Sequence, residues 1–553
     1  MKNYLYGIAV FALLFLYGCD SQTTQEPAEL SPTELSSEPN AEANAPDTVF
    51  VNGKILTVDE SFSVVDALAV DGDRIVALGD SATIGALAGD DTNVIDLGGK
   101  TVIPGLIDNH MHFVRAGQKW HLQARIDGVT DREEALAIIA AKAASMEPGE
   151  WLMVQGGWYE AQFSDGRPGF TLEELDAAAP NNPLFLQITY VRVYANSLAL
   201  EAVGVDPAEG VVHTGPVMIS PRPPYGLLNE QMPEVSRDQI AQNIRDVMSA
   251  FNRAGLTTVY DVGRPPEGDI DMLREMSEAD PLDLRVWHTL KYEAYNVEDA
   301  DAAISLINST APNDRNDYVG LLGIGEHVFL PFFDLPGFKD VYSDEILTEF
   351  GRISRVAAEN GYKINEHTLM DQTINSAMDE WERINEDIPL APLRWTLEHL
   401  IDMQEDTIKR AKALGLTTAV HGVAMTMPAA LQPPMREMQD LGLIWGLGSD
   451  ASIVAHYQPF ITLGWAVSGK TITGVEVTDA PVTREEALVA HTRSNAYLLH
   501  KENDIGSLEI GKFADLVVLD KDYMTVPEED IFHIESLLTM AVSYTQLTLP
   551  TKA

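Results

Sequence analysis

Cysteine and positive charge are both scarce in this chain of 553 residues. The one cysteine, Cys19, cannot build a disulfide framework, and no thiol is left further along the chain for catalysis or metal binding. Lys and Arg together number 37 against 84 Asp and Glu, which gives a formal net charge of −47. Because binding to phosphate backbones requires clustered Lys and Arg, this balance argues against nucleic acid as a partner.

Several familiar catalytic motifs are also missing. The chain contains no GxSxG elbow, no P-loop and no GxGxxG after a strand. Serine hydrolase, nucleotide-binding and Rossmann interpretations therefore have no support.

The N-terminus carries an export signal rather than a membrane span. Lys2 precedes an apolar stretch over residues 6–17, which is too short to cross a bilayer comfortably and predicts a signal peptide over residues 1–18. The small residue before Cys19 resembles a bacterial lipobox, in which the cysteine is lipidated and anchors the protein to a membrane. The alternative is an ordinary signal peptide with a chance cysteine. Asp20 resembles an inner-membrane retention signal, so we expect an anchored protein that faces the periplasm.

The rest of the chain divides into a tether, a β-domain and a large alternating region. Residues 19–46 are rich in Ser, Pro, Glu and Ala and predict a flexible tether. Short β-rich runs separated by Asn-Gly, Asp-Gly and Gly-Gly turns fill residues 47–103, and a similar texture returns over residues 502–540. These two flanks predict one small β-sandwich domain assembled from both termini.

Residues 104–501 predict a (β/α)₈ barrel. Eight strand-like apolar runs occur there, namely TVIPGLIDNHMH, GLTTVYDVG, LRVWHTLK, YVGLLGIGEHV, YKINEH, RWTLEH, LTTAVHG and IWGLGSD. Helix-like segments, for example residues 344–361 and 403–415, separate most of them, which is the pattern of a TIM-like barrel. Residues 113–254 are too long for a simple connection, and they contain strand and helix patterns of their own. We therefore expect an inserted subdomain after the first strand.

Polar side chains stand at the carboxyl ends of four of these strands. His110 and His112 are at positions i and i+2, so they face the same way if this segment is extended. His367, His399 and Asp450 close later strands. Because the carboxyl ends of barrel strands meet at one face, four imidazoles and a carboxylate converge there. This donor set suits Zn²⁺ or a similar divalent ion.

At this point the sequence resembles the amidohydrolase superfamily, and within it the amidohydrolase-3 or YtcJ-like group, which includes N-substituted formamide deformylase. The resemblance covers about residues 47–540. The motifs that carry it are VNGKILTVD, PGLIDNHMH, GGWYEAQF, VYANSLALEAVGV, GLTTVYD, RWTLEH, GLGSD and HTRSNAYLLHKENDIGSLEIGKFADLVVLD.

The resemblance implies a hydrolase of non-peptide C–N bonds in linear or cyclic amides or N-substituted formamides. It makes His110, His112, His367 and His399 metal ligands, and Asp450 both a ligand and the general acid–base that moves protons between the attacking water and the leaving nitrogen. The metal would activate water and polarise the carbonyl. A small-molecule substrate is implied, and a homodimer is compatible with this assignment.

The sequence departs from the family pattern in two places. Many relatives carry a carboxylated lysine on the fourth strand that bridges two metals, but LLGIGEHV contains no lysine. Glu326 can bridge instead, His327 can bind, or the site holds one metal; alternatively Glu326 only lines the pocket. The tail, residues 541–553, does not match the expected final strand pair. We expect it to be atypical and not to close the β-domain, and one interpretation is that it is a foreign tail and not native sequence.

Other candidates are open to two interpretations. Trp158, Tyr159 and His421, together with His327, are candidate substrate-pocket residues, although the aromatic side chains can equally be packing and His421 structural. Arg192 and Tyr194 share this ambiguity, whereas His213 and His288 are interpreted as structural. Two other functions remain open, an aminohydrolase (deaminase) with a mononuclear site and an inactive binding lipoprotein. Intact His110, His112, His367, His399 and Asp450 argue against the latter.

Overall fold

The computed structural model describes residues 45–167, 169–189, 192–207, 225–314, 317–335, 341–426, 431–541 and 544–547. The predicted signal peptide, Cys19, His213 and all but the last two residues of the predicted tether lie outside these ranges. Within them, every helix is too short or too polar to cross a membrane.

The described residues form a (β/α)₈ barrel, as predicted. Eight parallel strands follow one another around the sheet in chain order. They are called the first to eighth barrel strands and span Leu106–Met111, Leu256–Asp261, Arg285–Thr289, Val319–Ile324, Lys363–Met370, Thr396–Asp402, Thr417–His421 and Trp445–Gly448. A two-residue strand, Asn313–Asp314, pairs antiparallel with the fourth. The barrel strands are almost wholly buried, as expected for parallel strands that have helices on one face and packed side chains on the other.

The gap between the eighth and first strands is closed mainly through side chains. The Nδ2 group of Asn495 donates to the carbonyl oxygens of both Ile107 and Leu447, at 2.6 Å each. The backbone N–H of Asp450 donates to the carbonyl of His110 at 2.9 Å. These bonds hold the two strands that carry predicted site residues in a fixed register.

Helices cover the barrel. They span Phe113–Gln118, Arg237–Arg253, Glu267–Ala279, Ala300–Ser309, Asp344–Glu359, Asp371–Asn385, Glu405–Ala413, Met435–Leu441, Pro459–Ser468, Arg484–His491, Arg493–Leu498 and Glu528–Ile531. The two helices expected over residues 344–361 and 403–415 are present with slightly shorter bounds. The first of them begins where the Ser343 hydroxyl accepts a hydrogen bond from the backbone N–H of Ile346, which satisfies a free donor of its first turn.

The β-sandwich is built from both ends of the chain. One sheet contains Thr48–Val51, Ala67–Asp71, Arg74–Gly79 and Asn93–Asp96, with the short helix Ser81–Gly85 beside it. The other contains Lys54–Leu56, Val64–Val65, Thr101–Pro104, Leu516–Leu519, Ser536–Ala541 and Tyr544–Leu547. Thr101–Pro104 pairs antiparallel with Leu516–Leu519, which joins the two ends.

One expectation for the tail is wrong. Tyr544–Leu547 pairs antiparallel with Ser536–Ala541 and adds an edge strand, so residues beyond 540 do extend the domain. The alternation in this stretch is that of an ordinary strand, even though its motif differs from the family pattern.

The insertion after the first strand has its own small sheet and core. Its strands are Leu152–Gln155, Leu184–Ile188 and Arg192–Ala195. Its helices are Arg132–Ala144, Leu172–Ala178, Ser197–Ala202 and Tyr225–Glu230. The first two strands and the first helix match the patterns on which the insertion was predicted.

Candidate metal centre

Six predicted side chains meet at the carboxyl end of the barrel. They come from the ends of the first, fourth, fifth, sixth and eighth strands, and all are buried: His110, His112, Glu326, His367, His399 and Asp450. This is the face on which active sites of such barrels are built.

Glu326 lies between two pairs of histidines. Its Oε1 is 2.9 Å from His367 Nδ1 and 3.1 Å from His399 Nε2. Its Oε2 is 3.5 Å from His112 Nε2 and 3.8 Å from His110 Nε2. Each carboxylate oxygen therefore faces a different pair of imidazoles.

Asp450 completes one of these two groups. Its Oδ1 is 3.2 Å from His112 Nε2 and 3.5 Å from His110 Nε2, and its Oδ2 is 4.0 Å from His399 Nδ1. The carboxylate thus lies against the first-strand histidines and also reaches toward the sixth strand.

The donor atoms fit divalent metal. Among the described residues, candidate donors within 4.8 Å of one another form three groups, namely His110 with His112 and Asp450, Glu326 with His367 and His399, and His110 with His399 and His421. Because Zn²⁺ holds N and O ligands at about 2.0–2.2 Å, two donors of one tetrahedral ion lie about 3.3–3.6 Å apart. The separations around Glu326 and Asp450 fall around this value. Moreover, Nε2 of His110 is buried and has no hydrogen-bond partner in the described part of the chain.

A buried carboxylate that sequence reasoning missed sets the orientation of these ligands. Nδ1 of His110 donates to Glu398 Oε2 at 3.0 Å, which leaves Nε2 as the lone-pair atom. Nε2 of His421 lies 3.2 Å from the same oxygen, and its Nδ1 is 2.8 Å from Nδ1 of His399. If the proton of His421 faces Glu398, His399 donates from Nδ1 and its Nε2 lone pair points toward Glu326.

The remaining two histidines are held by other groups. Nε2 of His367 donates to the carbonyl of Asp334 at 3.2 Å, so its Nδ1 is the metal-facing atom. The ring of His112 packs so tightly against Gly263 that a Cβ there would lie 2.4 Å from its Nδ1. Gly263 therefore leaves the room that the His112 ring needs.

The two acids of the centre are ionised. Burial alone would raise the pKa of Glu326, but hydrogen bonds from His367 and His399 and the positive charge of His110 hold it well below its usual value. Burial likewise opposes ionisation of Asp450, yet contacts with the first-strand histidines lower its pKa. Two negative carboxylates in a buried cluster favour the binding of a cation.

The histidines divide into two kinds. Burial lowers the pKa of His399, and it lowers that of His421 to about 3, so both are neutral. In His110 burial is outweighed by Glu398, and in His367 by Glu326, so that both pKa values are raised. A metal ion would displace protons from these two imidazoles on binding.

Two residues of the centre have a strained backbone. His399 has φ of 72° and Asp450 has φ of 64°, both in the left-handed region that non-glycine residues rarely occupy. Such residues cost about 1–3 kcal/mol each and persist at sites where the surrounding structure holds them for a function.

A cavity of about 360 Å³ opens onto the centre. Among its lining residues are five of the six side chains above (all but His110), His327, and Arg264 and Arg115, and much of the rest is apolar. Burial is the main cause that lowers the pKa of His327 well below its usual value, and the charge of Arg264 acts in the same direction. His327 is thus a neutral wall residue, in the pocket position predicted for it.

Three other pocket predictions are wrong. Trp158 is in the core of the insertion, with its ring 5.4 Å from that of Phe170 and 5.9 Å from that of Tyr194. Neither it nor Tyr159 lines the cavity. His421 is fully buried beneath the ligands and does not reach the cavity.

The other ambiguous residues are structural. Arg192 forms an ion pair with Glu160, and the hydroxyl of Tyr194 donates to the same carboxylate. Burial lowers the pKa of His288 to about 4, and this side chain lies in the third strand, away from the cavity.

The sequence contains a weak signal for Glu398, the buried acid that sequence reasoning missed. Glu398 immediately precedes His399, and the same Glu-His pair recurs at Glu326–His327 and Glu366–His367 on the two preceding strands. Since neighbours in a strand face opposite ways, the acid of such a pair is expected on the side away from its histidine. This repetition could have marked Glu398 as a supporting group.

The fold and this cluster define a metal-dependent hydrolase. The sequence profile described as "Amidohydrolase family" matches residues 93–545, and the chain belongs to that family.

The chain is similar to known proteins over most of its length. It is 25% identical over 537 residues to N-substituted formamide deformylase of Arthrobacter pascens, covering 89% of this chain and 97% of that protein. It is also 25% identical over 523 residues to protein LONG AFTER FAR-RED 3 of Arabidopsis thaliana, covering 86% and 87%. In fold it is similar to a metal-dependent hydrolase from Pyrococcus furiosus, with TM-score 0.60, 19% identity, and coverage of 86% and 100%.

Proposed function

We propose that this hydrolase cleaves non-peptide C–N bonds of small amides, including N-substituted formamides, at a centre of two divalent metals bridged by Glu326. The observation that carries the proposal is the position of Glu326, whose two oxygens each face a different histidine pair. This geometry takes the place of the bridging lysine that the fourth strand lacks.

The residues divide into two sets of ligands. His110, His112, Asp450 and Glu326 would hold one ion, and His367, His399 and Glu326 would hold the other. Neutral imidazoles and carboxylates suit Zn²⁺, which we propose as the native metal. A bound divalent ion supplies Lewis-acid polarisation of the amide carbonyl and lowers the pKa of water.

Asp450 has the position of the general acid–base. It is ionised, it lines the cavity, and it lies at the edge of the histidine cluster. We assign it the removal of a proton from the attacking water and the return of that proton to the leaving nitrogen. The expelled amine is then neutral, which makes C–N cleavage easier.

The substrate is a small molecule. A cavity of about 360 Å³ accommodates a compound of modest size but no folded chain. The similarity to N-substituted formamide deformylase supports amide-type substrates.

A substrate panel tests the proposal. Metal-replete protein is incubated with N-formyl, N-acyl and cyclic amides, and free amine, carboxylate and ammonia are measured separately. We expect amine and carboxylate release that is lost on chelation and in His110→Ala, with helical circular dichroism retained. Ammonia release from amino-substituted heterocycles tested alongside the amides, with no amide cleavage, would instead establish the aminohydrolase alternative, and no turnover by metal-replete protein would favour a binding protein.

Anchoring to a membrane remains a separate proposal. Cys19→Ser should prevent lipid attachment and release the protein from the membrane fraction. Unchanged fractionation of that variant after a salt wash would contradict the lipoprotein assignment. The homodimer also stays a prediction, to be checked by light scattering.

A further inference from the structure

Arg264 is a cation in the wall of the cavity, and no acidic partner for it is found among the described residues. It follows the second strand, and it lines the cavity together with Glu326 and Asp450. Its Nη1 donates to the carbonyl of Tyr292 at 3.3 Å. Across the part of the chain that the structure describes, no carboxylate lies within 4.0 Å of its guanidinium, although acids outnumber bases 84 to 37 in the whole chain.

The backbone holds Arg264 in an unusual conformation. Its φ is 52°, and its N–H donates to the hydroxyl of Thr289 at 3.2 Å. Pro265 and Pro266 follow directly and restrict the chain further. Such strain is characteristic of residues that must be held in place for a ligand.

The cavity between the metal centre and Arg264 is largely apolar. Side chains from several loops contribute to this wall, namely Val262, Phe333, Leu335, Leu369, Val423 and Val454. A ligand that fills it must therefore have an apolar body. The guanidinium, in turn, offers a planar pair of donors that matches the two oxygens of a carboxylate.

We propose that Arg264 binds a carboxylate of the substrate, so that the preferred substrate is an amide whose apolar body carries a carboxylate. This inference rests on the proposed function for the position of the scissile bond. An uncharged analogue would leave the guanidinium without its partner in a partly desolvated site. Since hydrogen bonds to charged groups contribute about 1.5–3 kcal/mol, the carboxylate should bind roughly 10- to 100-fold more tightly than a neutral isostere.

Binding without turnover provides the direct test. Titration calorimetry compares 4-phenylbutyrate with 5-phenylpentan-2-one, a neutral isostere that has no hydrolysable C–N bond, on metal-replete wild type, Arg264→Gln and Arg264→Lys. In wild type the dissociation constant of the carboxylate should be at least 10-fold lower than that of the neutral compound, and in Arg264→Gln the difference should be less than about 3-fold. Arg264→Lys should give an intermediate difference, because Lys keeps the charge but not the planar donor pair. Arg237→Gln, which removes an exposed arginine paired with Glu275, is the matched control and should behave as wild type.

The possible outcomes distinguish a failure of this inference from a failure of the proposed function. A carboxylate preference that persists in Arg264→Gln, with metal content and thermal midpoint unchanged, would mean that the anion binds the metals, and would overturn the inference. Equal binding of both compounds to wild type would do the same. Amide hydrolysis that fails while an Arg264-dependent preference persists would contradict the proposed function and leave the inference standing. If Arg264→Gln does not fold, the Lys variant alone decides, since a preference equal to that of wild type would contradict a role for the planar donor pair.

Discussion

His110 donates from Nδ1 to Glu398 over 3.0 Å, which ties a first-strand ligand to a carboxylate of the sixth strand. Glu398 also lies 3.2 Å from His421, which in turn contacts His399. One fully buried carboxylate therefore orients the first-strand imidazole directly and lies next to the contact between His421 and His399. Second-layer groups of this type commonly change metal affinity 10- to 100-fold when they are removed.

Glu398→Gln should weaken metal binding about 10- to 100-fold while the protein remains folded. Glutamine has one acceptor oxygen, whereas Glu398 accepts from His110 through one oxygen and from Asn365 through the other. Affinity is measured by competition with a metal chelator. The control is Glu382→Gln, since Glu382 is paired with Arg410 on the helical surface; equal affinities for the two variants would show that Glu398 does not orient the ligands.

Asp450→Asn should lower kcat by about 10²–10⁴-fold, because it keeps the shape of the side chain but removes the basic oxygen. KM should change little, since Arg264 and the apolar wall remain to bind the substrate. Metal content should stay above about half of the wild-type value because the four imidazoles and Glu326 are intact. Near-normal turnover of this variant would mean that another group moves the proton, and Glu326 would be the first to examine.

Lys363 predicts a pH-dependent stability that does not involve the active site. Its ammonium donates to the carbonyl of Arg394 at 2.7 Å, and burial lowers its pKa to about 7. It begins the fifth strand, four residues before His367, which is about 13 Å along an extended chain. The unfolded lysine keeps its proton to about pH 10.5, so between these values the unfolded state binds more protons and the free energy of unfolding rises with pH.

Lys363→Met removes this dependence. Between pH 7 and pH 9.5 the wild type should gain up to about 3 kcal/mol in free energy of unfolding relative to the variant, since one pKa unit corresponds to about 1.4 kcal/mol. Urea denaturation of chelated protein at both pH values measures the difference. The exposed Lys412→Met serves as the control. Parallel pH profiles for wild type and Lys363→Met would show that Lys363 is not a buried, largely neutral amine.

The architecture could be predicted because its signals are local. Each barrel strand is a short apolar run, and the helix Asp344–Glu359 has its own cap and apolar stripe. The closure of the barrel could not be predicted in this way. Asn495 bonds to Ile107 across 388 positions, and nothing near either residue in the sequence indicates the partner.

The residues of the site could be predicted from the sequence, but the distances and contacts between them could not. His110, His112, His367, His399 and Asp450 were identified from their places at strand ends. Trp158 was left open between the pocket and the core because an aromatic side chain in a core has the same local pattern as one in a pocket. Only the three-dimensional structure distinguishes a core ring from a pocket ring, because the difference is whether other side chains or the cavity lie against it.

The role of Glu326 was left open by the sequence because a single acid after a strand can face the ligands or only the cavity. In the structure its two oxygens are directed at different histidine pairs, which is the arrangement that a shared ligand requires. Glu326→Gln keeps the size of the side chain and removes the charge and one of the two acceptor oxygens. It therefore isolates the bridge from the other ligands.

Metal stoichiometry of wild type and Glu326→Gln, measured by elemental analysis after equilibration with Zn²⁺, tests the account most directly. Wild type should hold two ions per chain and Glu326→Gln about one, because His110, His112 and Asp450 still offer three ligands to one ion. The other set keeps only His367 and His399. Leu322→Met, on the same strand, is a matched control and should retain two. One ion per wild-type chain, or two in Glu326→Gln, would contradict a centre bridged by Glu326.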